Sequence, residues 1–142
     1  MGNPRNTVDY TDIGRLPATY IADGVTIVYD RTQPNGSDKV GRAVMLSAHK
    51  TVALTSDGAA VEGILENVEP DGKVGIKSGG YGEAPGGNGA ALTPGKKFVG
   101  AVGAGGAGDR GYIREAANAA DALVARGSIV DSSDPTKVTV RL

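Results

Sequence analysis

This sequence predicts a mainly β chain folded as a compact antiparallel β-barrel or sandwich. Three observations carry the prediction. Between Val40 and Lys77 short apolar runs alternate with polar punctuation: Ala43-Val44-Met45-Leu46 before Ala48-His49-Lys50, Val52-Ala53-Leu54 before Ser56-Asp57-Gly58, and residues 61–68 before Pro70-Asp71-Gly72. Lys73-Val74-Gly75-Ile76-Lys77 alternates at period two, as a half-buried strand does. The spacing is too tight for intervening helices, which favours hairpins over βαβ units.

Each further element follows from local composition. Residues 1–18 are polar and interrupted by Pro4, Gly14 and Pro17, so they predict a flexible arm ahead of one β-rich domain over residues 19–142. Val8, Tyr10, Ile13 and Leu16 are the arm's apolar side chains, too scattered to form a core. Val25-Thr26-Ile27-Val28-Tyr29 is β-branched and aromatic throughout and predicts a strand. Gln33-Pro34-Asn35-Gly36-Ser37-Asp38 predicts a turn.

Residues 79–111 hold 13 of the 23 glycines, which predicts long loops at 79–96 and 103–111 around a strand beginning at Lys97-Phe98-Val99. One short helix is expected over residues 115–126, with Ala116, Ala120, Leu123 and Val124 on its packed face and Gly127 at its C-terminus. Ser128-Ile129-Val130 and Lys137-Val138-Thr139-Val140-Arg141-Leu142 read as a closing hairpin.

Composition narrows the function. Fifteen basic residues stand against 16 acidic ones without a block of either sign, so nucleic acid is not the expected partner. No cysteine exists to form a disulfide or a thiolate metal site. No apolar stretch approaches the roughly 18 residues that span a bilayer, and the N-terminus has no secretory pattern, so the expected place of synthesis and use is the cytoplasm. With one Phe and no Trp, the core must come from Val, Ile, Leu and Ala. Limited burial per chain favours self-association.

The catalytic motifs fail on their own chemistry. Residues 103–108 fit G-x-G-x-x-G, but a dinucleotide site needs a helix next, whose amides face the pyrophosphate; turn and extended chain follow instead. Residues 89–97 resemble a P-loop with one residue too many between the glycines and Lys97 where a hydroxyl should hold magnesium. His49 is the only histidine and suits a solvated turn. Asp131 and Asp134 suit a turn, and Glu62, Glu66 and Glu69 a solvated sheet face. The chain is therefore expected to be no enzyme and to use neither cofactor nor metal.

The run Gly41-Arg42-Ala43-Val44-Met45-Leu46, Val52-Ala53-Leu54-Thr55, Val61-Glu62-Gly63-Ile64-Leu65-Glu66 and Lys73-Val74-Gly75-Ile76-Lys77-Ser78-Gly79-Gly80 resembles the capsid decoration (cement) proteins of tailed bacteriophages. Gly108-Asp109-Arg110-Gly111-Tyr112-Ile113-Arg114 and Val138-Thr139-Val140-Arg141-Leu142 also look like phage capsid accessory proteins. The resemblance spans residues 20–142 and implies a β-tulip-like domain behind an N-terminal arm that binds the capsid through Val8, Tyr10, Ile13 and Leu16. It implies a structural virion protein on the exterior of the expanded shell, assembled in the host cytoplasm. The implied partners are the major capsid protein and two further copies, as a trimer at threefold sites. The long glycine-rich loop and the alanine-rich helix depart from the pattern. Alternatives are another virion component (tail, baseplate or minor head protein) and, more weakly, an all-β carbohydrate-binding module, which would normally stack sugars on Trp.

Overall fold

The period-two runs form the strands expected of them. In the computed structural model, which describes residues 16–142, β1 (Leu16–Ala22), β2 (Ala43–Ala48), β3 (Thr51–Leu54), β4 (Gly63–Val68) and β5 (Lys73–Gly79) close into a barrel in the order β1-β3-β2-β4-β5. Closure gives every strand a partner on both sides, although the β1–β3 and β2–β4 pairings cover only two residues each. Every pairing is antiparallel except β1 with β3, which run parallel through Ile21↔Thr51 and Ala22↔Val52. Alternate residues point inward: Val44, Val52, Leu54, Leu65, Val68, Val74 and Ile76 are buried together with Ile27.

A second layer packs beside the barrel. β6 (Tyr81–Ala84), β9 (Ser128–Asp131) and β10 (Val138–Arg141) form a three-stranded sheet with β10 in the centre. β7 (Phe98–Val102) and β8 (Arg110–Glu115) form a separate hairpin. Their core gathers Phe98, Ile113, Ile129, Val138 and Val140, with Ala43, Val61 and Ile64 contributed from the barrel side. The chain's only Phe is wholly buried there.

Four sequence expectations are corrected: the end of the arm, the strand at 25–29, the length of the helix and the unbroken loop at 79–96. The stretch read as an arm ends earlier than residue 18, because Leu16, Pro17 and Ala18 already belong to β1. Pro17 is tolerated because the register shifts between Leu16 and Pro17, where a missing N–H costs no regular ladder bond. The segment 25–29 is not a strand. Asp23 bends it: its carboxylate accepts the backbone N–H groups of Val25, Thr26 and Ile27 at 3.2, 3.1 and 3.0 Å and the Thr26 hydroxyl at 2.8 Å. A side chain that satisfies three consecutive amides removes the reason to pair with a neighbouring strand.

The helix is also shorter than expected: α1 spans Ala119–Val124, and Glu115 lies in β8 opposite Phe98. Asn118 caps it by accepting the Asp121 N–H at 2.9 Å. Leu123, placed by periodicity on the packed face, is 88% exposed, while Asp121 faces inward.

Other expectations agree with the fold. Asn35 and Gly36 both have positive φ, 56° and 81°, as an Asn-Gly turn requires. β7 begins one residue after Lys97, and β9 and β10 pair as the closing hairpin. β6 lies inside the segment read as a loop at 79–96. It is legible only in three dimensions, because Tyr81-Gly82-Glu83-Ala84 gains its strand character from β10.

Candidate functional site

Arginines, unremarked by any motif, join the layers. The Arg126 guanidinium donates to the carbonyls of Val61 (3.1 Å), Glu62 (2.9 Å) and Ser78 (2.9 Å), tying the region after α1 to the barrel. Arg114 on β8 pairs with Asp121 at 2.6 Å and with Asp57 at 2.9 Å. Arg42 contacts Asp109 at 3.2 Å, donates to the Arg110 carbonyl at 2.8 Å, and lies 4.9 Å over the Tyr112 ring. A planar fork with five donors suits such carbonyl and carboxylate clamps. The partners of Arg42 and Arg126 are 48 to 68 residues away in sequence, so no local spacing signals them.

Acidic groups are spent in the same way. Hydrogen bonds from Arg114 hold the Asp121 carboxyl below the usual range, with the Ala117 amide adding to the effect. The Gly105 amide, then Tyr112 and Arg42, lower Asp109 against the opposing effect of burial. Burial is the largest single influence on Asp23 and would raise it, but the bonds from Thr26, Ile27 and Val25 together bring it down. Groups lowered on folding contribute stability that is complete above their unfolded pKa of about 3.9 and is lost as pH falls through their folded values. Stability is therefore expected to be flat from about pH 5 to 8 and to decline progressively below about pH 4. Urea midpoints across that range check it, and Asp121→Asn should flatten part of the acid decline.

The residues singled out for chemistry do not converge. His49 is exposed in the β2–β3 turn. Glu62 accepts the Tyr20 hydroxyl at 2.8 Å, raising that phenol's pKa. Asp131 and Asp134 accept the amides of Ser133 and Thr136 at 2.9 and 3.0 Å, each closing its own turn. Residues 103–108 connect β7 to β8 through a 3-10 turn at Gly106–Gly108, and Asp109 Oδ2 accepts the Gly105 N–H at 3.2 Å, so a carboxylate occupies the inner side of the loop. Among the described residues no group of three or more His, Cys, Asp or Glu is arranged to hold a metal ion. Val8, Tyr10 and Ile13 lie outside the described residues; Leu16 opens β1 with its side chain 60% exposed.

The structure assembles one surface that no motif announced. The Asp23-braced loop holds Val25 81% exposed and Val28 57% exposed. Facing it is the β7–β8 loop, and between them runs a groove of about 450 Å³ whose lining includes Val25, Leu54, Lys39, Arg42, Asp109 and Arg110. Three cations and one carboxylate among the lining residues leave the groove electropositive. Comparisons with protein-family models, curated proteins and solved structures find no match to this chain.

Proposed function

We propose that this protein is a structural component of a tailed-phage head that coats the outside of the expanded shell and stabilises it, as a trimer at threefold positions. The reading starts from the strand rhythm and turn residues over 20–142, and one structural observation supports it. Two small β layers, clamped by Arg126, Arg114 and Arg42, hold apolar side chains outward on braced loops. A protein that works by fitting a surface needs that combination: a rigid body, and apolar contacts whose conformation is fixed before binding. Repetition over a symmetric lattice then multiplies modest contacts. The major capsid protein is the partner in this reading, and residues 1–15 staple neighbouring subunits.

The test mixes the full chain with empty expanded shells and measures co-sedimentation. Saturable binding is expected, and deletion of residues 1–15 should weaken it sharply. Absence of binding by the full chain overturns the decoration role. Full binding by the truncated chain overturns the part given to the arm. Reconstruction of decorated shells then reads the number of copies per site, and isolated copies without mutual contact would contradict the trimer.

A further inference from the structure

The electropositive groove between the Asp23-braced loop and the β7–β8 loop has a feature that the three clamping arginines lack. Arg42, Arg114 and Arg126 each reach oxygen acceptors. Arg110, on the same groove, has its Nη2 3.9 Å from the Met45 sulfur, and its buried Nε has no hydrogen-bond partner. No carboxylate of the described residues forms an ion pair with it. A thioether is a weak acceptor, so this guanidinium keeps donor capacity that an added carboxylate would satisfy. Lys39 adds a second cation whose nearest acid, Asp38 at 3.7 Å, is mostly solvated. Beside these charges Val25 stands almost fully in water. An occupant that alternates acidic and apolar side chains would match both features.

The chain itself carries one such segment. Val8-Asp9-Tyr10-Thr11-Asp12-Ile13 places two acids among three apolar residues, with no basic residue between them. We propose that the groove at Arg110, Lys39 and Val25 receives residues 8–13 of a second copy of the chain.

Reach argues for a second copy over the same one. Leu16 and Ala22 sit at opposite ends of β1, separated by six residue rises, about 20 Å. The groove begins beyond the Ala22 end, at Val25. Asp12 precedes Leu16 by four residues and extends at most about 14 Å from it. Asp12 is therefore out of range of its own groove, and since Asp9, which can extend about 25 Å from Leu16, is not, only a second copy seats the two acids together. A segment of one copy seated in the groove of the next is a head-to-tail contact, which closes into a ring when the rotation permits. The inference rests on the decoration reading only for its setting on a shell; the contact itself is tested without one.

Sedimentation equilibrium of the full chain, free of any shell, should show concentration-dependent self-association. Asp9→Asn with Asp12→Asn should weaken it about tenfold or more, and Arg110→Gln should do the same, as expected for loss of charge-assisted bonds. Circular dichroism and thermal melting establish whether Arg110→Gln remains folded; if it does not, the Asp9/Asp12 variant decides, since both its substitutions fall outside residues 16–142. Charge exchange gives the sharper result. Chains with Arg110→Asp alone, and chains with Asp9→Arg and Asp12→Arg alone, should each stay monomeric, while their mixture should associate. A full chain that remains monomeric at every accessible concentration overturns the proposal. So does self-association that is indifferent to the Asp9/Asp12 substitutions, or a charge-exchanged mixture that stays dissociated. Shell binding that fails while this association persists would reject the decoration role and leave the groove contact standing.

Discussion

Truncating Phe98 to alanine is expected to remove about 3–5 kcal/mol of stability, a large part of the 5–15 kcal/mol that a domain of this size typically possesses. Phe98 is wholly buried in the second layer's core. No other side chain in that core is as large: its companions Ile113, Ile129, Val138 and Val140 are aliphatic. Small, β-branched neighbours on paired strands cannot collapse into the space an aromatic ring leaves, so the cavity term adds to the lost transfer energy. The ring also lies where Gly127 comes closest. A Cβ on that residue would stand 2.9 Å from Phe98 Cε1 and 1.8 Å from the Arg141 carbonyl oxygen, and the backbone there has φ of +56°. Urea unfolding measures the effect, with Phe98→Leu as the milder control. A loss below about 1 kcal/mol would mean that the two layers do not share the core described above.

Arg126→Ala is the second substitution with a large expected effect, about 3 kcal/mol or more. It removes the donors for three carbonyls at once, two just before β4 and one near the end of β5. Each orphaned, partly buried acceptor costs more than the net value of the bond it lost. Arg126→Lys should recover only a fraction, because an ammonium lacks the planar fork that reaches all three. Calorimetric or urea measurements on the pair separate the clamp from simple charge: equal losses for Ala and Lys implicate geometry, and negligible losses for both would remove Arg126 from the account of layer docking.

The barrel was legible because its signal is local. Residues 43–46 and 52–54 are short apolar runs, Val74 and Ile76 alternate with Lys73, Gly75 and Lys77, and Asp57-Gly58 and Asp71-Gly72 mark the turns between strands. What stayed hidden is governed by side chains that capture nearby backbone and by strand partners far off in sequence. Val25, Thr26 and Ile27 have strand propensity, yet the Asp23 carboxylate captures their backbone amides first. Residues 81–84 lack that propensity and become a strand because β10 arrives to pair with them. The 115–126 pattern predicts a longer helix than forms, because β8 claims Glu115 and the Arg114–Asp121 pair turns a charged residue inward. The candidate site was the least legible part. His49, Glu62 and the glycine motif drew notice by residue type, whereas Asp23, Arg42 and Arg110 gain importance only from where the fold brings them.

The order of pairing in the two layers differs from the order of synthesis, and this bears on how the chain acquires its shape. All five barrel strands lie within residues 16–79, so that unit can close as soon as Gly79 is available. The second layer waits. β6 and β9 both depend on β10, which is made after the other nine described strands and stands between them. Until then Tyr81-Gly82-Glu83-Ala84 has no strand to pair with, whereas β7 and β8 can pair with each other before β10 is made. Completion of the β6-β10-β9 sheet is thus the step with the longest sequence separation, and the barrel and the β7–β8 hairpin can both precede it.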